Sequence, residues 1–137
     1  MNLPRLTTTI RKGALGELKV IADLLEKGYD VYAPVVDDNG IDFIVSNGTD
    51  MRSVQVKSHD NRGPKYATSV EVNTRKCKKA DVVAIPIKIM NCVCYVNSSI
   101  VNRSINIAFA KAISGQKEDR HWYKDYMEFP WEDLGRT

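Results

Sequence analysis

Residues 40–59 (GIDFIVSNGTDMRSVQVKSH) constrain this chain more than any other stretch. Residues 40–45 read as a buried strand that carries one carboxylate, Asp42, among apolar neighbours. Asn47-Gly48 is a hairpin signal, because both residue types tolerate positive φ. Residues 51–58 read as the second strand, with Gln55 and Lys57 two residues apart. Side chains alternate faces along a strand, so Gln55 and Lys57 point one way while Val54 and Val56 point the other. A two-residue loop would pair Asp42 with Ser53 and leave Gln55 as a diagonal neighbour at roughly 7–8 Å. A slightly longer loop would set Asp42 opposite Gln55. Either register gathers an acid, an amide and an amine on one patch. An aspartate inside an apolar strand is costly unless it is paired or holds a metal, so this patch is the first candidate for chemistry.

The rest of the chain bounds what that hairpin can belong to. At 137 residues, one domain spanning 1–137 with a real core is expected. A composition of 43% hydrophobic and 27% charged residues is that of an ordinary globular protein. The net charge of +3 permits a nucleic-acid partner without requiring one. No run approaches the ~18–20 apolar residues of a membrane span, and the N-terminus lacks the apolar core of a signal peptide. Three cysteines, Cys77, Cys92 and Cys94, form an odd set that suits reduced thiols in a cytoplasmic setting. Packing accounts for them better than zinc binding does. No glycine-rich phosphate loop or nucleophile–histidine arrangement supports a small-molecule enzyme.

Along the chain, residues 1–9 read as an arm whose Thr7, Thr8 and Thr9 can cap the helix expected over 11–27. Ala14, Leu15, Leu18, Ile21, Ala22 and Leu25 give that helix an apolar stripe expected to face the core. Glu17 falls at the margin of the buried face, near Val20 and Leu24, and Gly28 suits the C-terminal stop. Residues 29–34 suggest a short edge strand ended by Pro34, and Asp37 and Asp38 suit a turn. Further strands are expected at 66–72, 81–90 and 92–100, with a turn near Asn91. The apolar run Val82-Val83-Ala84-Ile85 suits a strand covered on both faces. Residues 105–113 and 116–127 read as helices. The aromatic residues Trp122, Tyr123, Tyr126, Phe129 and Trp131 read as packing of the closing segment, or as part of an interface. The order indicates an α/β protein with a mixed central sheet flanked by helices.

One combination of these features resembles the PD-(D/E)xK nuclease superfamily. The matching residues are Lys12-Gly13-Ala14-Leu15-Gly16-Glu17 on the helix, Gly40-Ile41-Asp42, and Gln55-Val56-Lys57. The run from Ala80 to Ile85 and Tyr95 fit the superfamily's sheet more loosely. Within it, the chain is most similar to group I intron homing endonucleases with a Q-x-K variant, and next to archaeal Holliday-junction resolvases. Ile41 stands in place of the usual proline, and Gln55 in place of the usual second carboxylate.

The resemblance implies a restriction-endonuclease-like fold and hydrolysis of DNA with Mg²⁺ or Mn²⁺. It implies that Asp42 is the main metal ligand, assisted by Gln55 and the Val56 carbonyl, with Glu17 reaching the cluster from the helix. An amide oxygen holds a hard cation more weakly than a carboxylate does. Lys57 would orient or deprotonate the attacking water and stabilise charge on the phosphorane. Lys12, His59, Arg62, Lys65, Arg75, Lys76 and Lys78 are candidates for contacts to the DNA backbone. His59 could also act as a proton donor, and the loop 60–66 is the expected groove-facing element. Double-stranded or branched DNA is the expected partner, and cleaving both strands would call for a homodimer or homotetramer. Junction resolution and non-catalytic nucleic-acid binding on the same fold are the alternatives.

Overall fold

The computed structural model describes residues 9–36, 40–58, 69–74, 79–101, 103–110 and 121–134. One long helix, α1 (Thr9–Glu26), opens this part of the chain. Its end matches the expected stop: Gly28 N–H donates to the Leu25 carbonyl and Tyr29 N–H to the Leu24 carbonyl. This double bond is the Schellman closure that satisfies the last helical carbonyls.

Five strands follow in one mixed sheet, ordered β1 (Asp30–Tyr32), β2 (Phe43–Ser46), β3 (Met51–Val56), β5 (Val82–Ile87) and β6 (Cys92–Asn97). β1, β2 and β3 form an antiparallel meander. β3 and β5 run parallel, with Val54 beside Val82 and Val56 beside Ala84. A side-chain clamp pins this register. Asp81 Oδ2 accepts from Ser53 N–H at 3.0 Å and from Ser53 Oγ at 3.2 Å. β4 (Ser69–Asn73), β7 (Ser104–Ala108) and the two-residue β8 (His121–Trp122) form a second sheet.

The main sheet is covered on both sides. On one side α1 packs Val20 and Leu24 against Phe43, Val45, Val54, Val82, Ala84 and Tyr95, and Phe129 and Leu134 complete that layer. On the other side Val83, Ile85, Ile87, Cys94 and Val96 meet Val70, Val72, Ile105 and Ile107 of the second sheet. Every residue of β5 is therefore buried, as its unbroken apolar run suggested. Burial raises the pKa of the Cys92 and Cys94 thiols, which keeps both protonated within the core.

Several expectations are corrected. The buried face of α1 is Gly16, Val20 and Leu24, whereas Leu15, Leu18 and Leu25 are 49%, 60% and 55% exposed. Residues 104–108 form β7 rather than a helix, because Ile105 and Ile107 alternate into the core between exposed Ser104 and Asn106. Residues 121–126 form β8 and a 3₁₀ turn, Tyr123–Tyr126, rather than a helix. The closing aromatics pack inward: Tyr29 meets Phe129 and Trp131, and Tyr95 meets Phe129. Among the described residues, no helix is long and apolar enough to cross a membrane.

Candidate active site

The site begins where the β2–β3 ladder ends. The two strands are joined by a four-residue loop, so Ser46 pairs with Met51 and Phe43 with Val54. Asn47 sets that length, since its Oδ1 accepts from Thr49 N–H at 2.9 Å and Asp50 N–H at 2.7 Å. The next residues beyond the Phe43–Val54 pair are Asp42 and Gln55, the longer-loop register.

At Asp42 regular pairing stops. Its N–H donates to the Val54 carbonyl at 2.9 Å, and its side-chain Oδ2 accepts from Val56 N–H at 2.6 Å. Asp42 thus stands just before β2 and not inside it, and it is half-buried. A carboxylate replaces the backbone carbonyl that would have continued the ladder. Because the N–H and C=O of one strand residue point to the same side, the Val56 carbonyl also faces the edge that β2 vacates.

Gln55 meets this edge from β3. Its Oε1 is buried and accepts no hydrogen bond. Gly40 lies against it: a methyl group there would stand 3.7 Å from Gln55 Nε2 and 3.8 Å from Oε1. Gly40 has φ +70°, a conformation costing a side-chain-bearing residue roughly 1–2 kcal/mol. The Gly40–Asp42 turn therefore delivers a carboxylate and closes over the amide together.

Lys57 follows directly on β3. Its N–H donates to the Ala84 carbonyl at 2.9 Å, which ties it to the neighbouring parallel strand. Alternation places it on the same face as Gln55, and it is half-buried. Glu17 sits on α1 about 20° from Leu24 and 60° from Val20, at 100° per residue. It is half-buried on the helix side that faces the sheet, closer to the centre of that face than the stripe of leucines implied.

The oxygen donors fit a hard divalent cation. Such ions take carboxylate, amide and backbone carbonyl oxygens. The buried Gln55 Oε1 without a partner is the observation that speaks for it, since an unsatisfied buried acceptor costs about 1–3 kcal/mol. Thr74 Oγ1 and Trp131 Nε1 are also buried without partners. Of these, Gln55 is the one that stands across the strand end from Asp42. No cluster of three His, Cys, Asp or Glu side chains able to hold a metal occurs among the described residues, so such a centre depends on the amide and on the Val56 carbonyl.

Of the other candidates, Lys12 is half-buried on α1. His59, Arg62, Lys65, Arg75, Lys76, Lys78 and the loop 60–66 lie outside the described residues. Sequence reasoning passed over Ser58, which contacts Gly16 of α1. The signal was a glycine inside a helix, which costs about 1 kcal/mol relative to alanine and asks for a reason.

A helix laid over one face of a mixed sheet, with the polar cluster where the β2–β3 ladder ends, defines a restriction-endonuclease-like α/β protein. The chain belongs to the PD-(D/E)XK endonuclease family, whose model matches residues 7–127. Its fold is similar to that of the bacterial homing endonuclease I-Ssp6803I, with a TM-score of 0.71 and 16% identity over 94% of this chain and 92% of that one. It is also similar to the Archaeoglobus fulgidus Holliday junction resolvase Hjc, with a TM-score of 0.52 and 14% identity over 92% of this chain and 98% of that one. No curated protein matches the sequence.

Proposed function

We propose that this protein is a divalent-metal-dependent DNA endonuclease in which Asp42, Gln55 and the Val56 carbonyl hold Mg²⁺ or Mn²⁺. The observation that carries the reading is a buried, unpartnered amide oxygen on Gln55 at the strand end where Val56 N–H holds the Asp42 carboxylate. A bound cation of this kind polarises a phosphodiester and lowers the pKa of an attacking water. Val56 N–H holds one Asp42 oxygen and so fixes the carboxylate's orientation before any ligand arrives. Lys57, anchored through its backbone to Ala84, presents an ammonium to the water and to the charge that develops on the phosphate. Glu17 supplies a second carboxylate from α1. Lys12 is the described candidate for a contact to the DNA backbone.

Homing-type cleavage of duplex DNA is the leading role, supported by the likeness to a homing endonuclease, and junction resolution is the second. One domain carries one such site, so cutting both strands needs at least two copies. The exposed side of α1 is the surface that suits such a contact. Leu15, Leu18, Ala22 and Leu25 follow a 3-4-3 spacing there, and a two-fold axis near Leu18 would set each copy's Leu15 against the other's Ala22.

Nicking of supercoiled and four-way-junction DNA with Mg²⁺ tests the reading. Wild type should nick, and Asp42→Ala and Lys57→Ala should each lose about 10²-fold or more in rate. Absence of metal-dependent nicking by wild type, or nicking that survives both substitutions, overturns it. DNA binding without nicking would favour a non-catalytic module. The observation behind that alternative is the amide of Gln55, which brings one negative charge fewer than a carboxylate.

A further inference from the structure

We propose that Gly16 and Ser58 form a positioning contact that sets the separation of Glu17 from Lys57. The inference rests on the reading above, in which both residues serve one site. Gly16 directly precedes Glu17 on α1, and Ser58 directly follows Lys57 at the end of β3.

Gly16 is buried in the helix interior. A methyl group at this position would overlap the Ser58 hydroxyl, reach Ser58 Cβ at 3.3 Å and meet Pro86 Cγ at 3.5 Å. Gly13, three residues earlier, would meet nothing within 4 Å. The close approach is therefore specific to Gly16 and is not a general property of the helix.

The yielding partner follows from what each side is built on. The Ser58 hydroxyl can rotate about χ1, which relieves the overlap but not the 3.3 Å approach of the two β-carbons. Pro86 cannot retreat, because it belongs to β5, where every residue is buried. Ser58 is held close to β5 through the Lys57 N–H bond to Ala84. An added methyl group thus moves α1, and Glu17 with it, away from the strand end. Displacements well under an ångström matter for metal binding and for chemistry that depends on oriented groups.

Four proteins separate this role from simple packing: wild type, Gly16→Ala, Gly16→Ala/Ser58→Ala and Gly16→Ala/Ser58→Gly. Calorimetry with Mn²⁺ gives metal affinity, DNA nicking gives kcat and KM, and thermal unfolding gives Tm. Gly16→Ala should weaken Mn²⁺ binding and lower kcat by roughly tenfold each while KM for DNA stays unchanged. Its Tm should hold, because alanine is the better helix former. Ser58→Ala should restore part of the loss, and Ser58→Gly, which also removes the β-carbon, most of it.

Wild-type affinity and kcat in Gly16→Ala overturn the proposal, as does a loss that neither Ser58 substitution relieves. A wild type that binds no Mn²⁺ and nicks no DNA overturns the active-site reading itself, and this proposal falls with it. Should Gly16→Ala fail to fold, Ser58→Val enlarges the same contact from the strand side. It should then show the same paired loss in Mn²⁺ affinity and kcat, and wild-type values there refute the proposal.

Discussion

On the proposed reading, the strength of the site turns on Gln55. Its amide brings an oxygen of the right kind but no charge, next to an Asp42 carboxylate already oriented by Val56 N–H. Replacing it with glutamate should therefore act in opposite directions with and without metal. Gln55→Glu should bind Mn²⁺ about tenfold more tightly by calorimetry, because a further carboxylate would then face the proposed cation. In EDTA the same variant should unfold more readily, by on the order of 1–2 kcal/mol, because two carboxylates then repel in a half-buried place. Equal metal affinity in the two proteins would remove Gln55 from the donor set. The meeting of Asp42 and Gln55 at one strand end was legible in sequence, since polar groups on apolar strands advertise themselves. The turn of the Asp42 side chain onto Val56 N–H was not, because it depends on where pairing stops.

At the level of elements, α1 shows how a correct helix can be assigned the wrong face. Its limits follow from periodicity and from Gly28, both visible in sequence. The choice of face does not, because apolar residues surround the helix except in the sector of Lys12, Lys19, Asp23 and Glu26. Leucine is larger than glycine or valine, so the Leu15, Leu18 and Leu25 side draws attention first. The sheet instead selects Gly16, Val20 and Leu24, since only a side with small residues lets α1 come down beside Ser58 and Pro86. Truncation should separate the two faces: Leu24→Ala should cost about 2–5 kcal/mol in urea unfolding. Leu18→Ala should change stability by less than about 0.5 kcal/mol in the monomer. Similar costs at both positions would contradict the assigned face. β7 was misread for a related reason. A short apolar run with alternating small polar residues satisfies both periods, and only pairing with β4 decides between them.

Among the described residues, Phe129 and Leu134 of the closing segment are buried in the core, while Leu15, Leu18 and Leu25 stand exposed on the outer side of α1. On the proposed pairing of two copies through this side, Leu18→Glu should halve the mass measured by light scattering while leaving secondary structure intact. It should abolish double-strand cleavage more than single-strand nicking, because each copy retains its own site. A wild type that is monomeric at micromolar concentration would rule out this surface as a self-association site. The layered architecture was legible from the order of elements and from the unbroken run in β5. The division of the strands between two sheets was not, because it rests on long-range pairing that no local pattern encodes.

The parallel pairing of β3 with β5 has a consequence for the order of events in the cell. Every proposed metal ligand and the proposed catalytic lysine lie within residues 17–57, yet Lys57 is tethered to Ala84 and α1 rests on Pro86. A chain emerging from the ribosome presents its chemistry-bearing residues well before the strand that holds them in place. Until residues 82–87 have followed, the acid, amide and amine are tenants of an unfinished frame. Vectorial synthesis would thus delay the assembly of the proposed centre until the chain has committed to its fold.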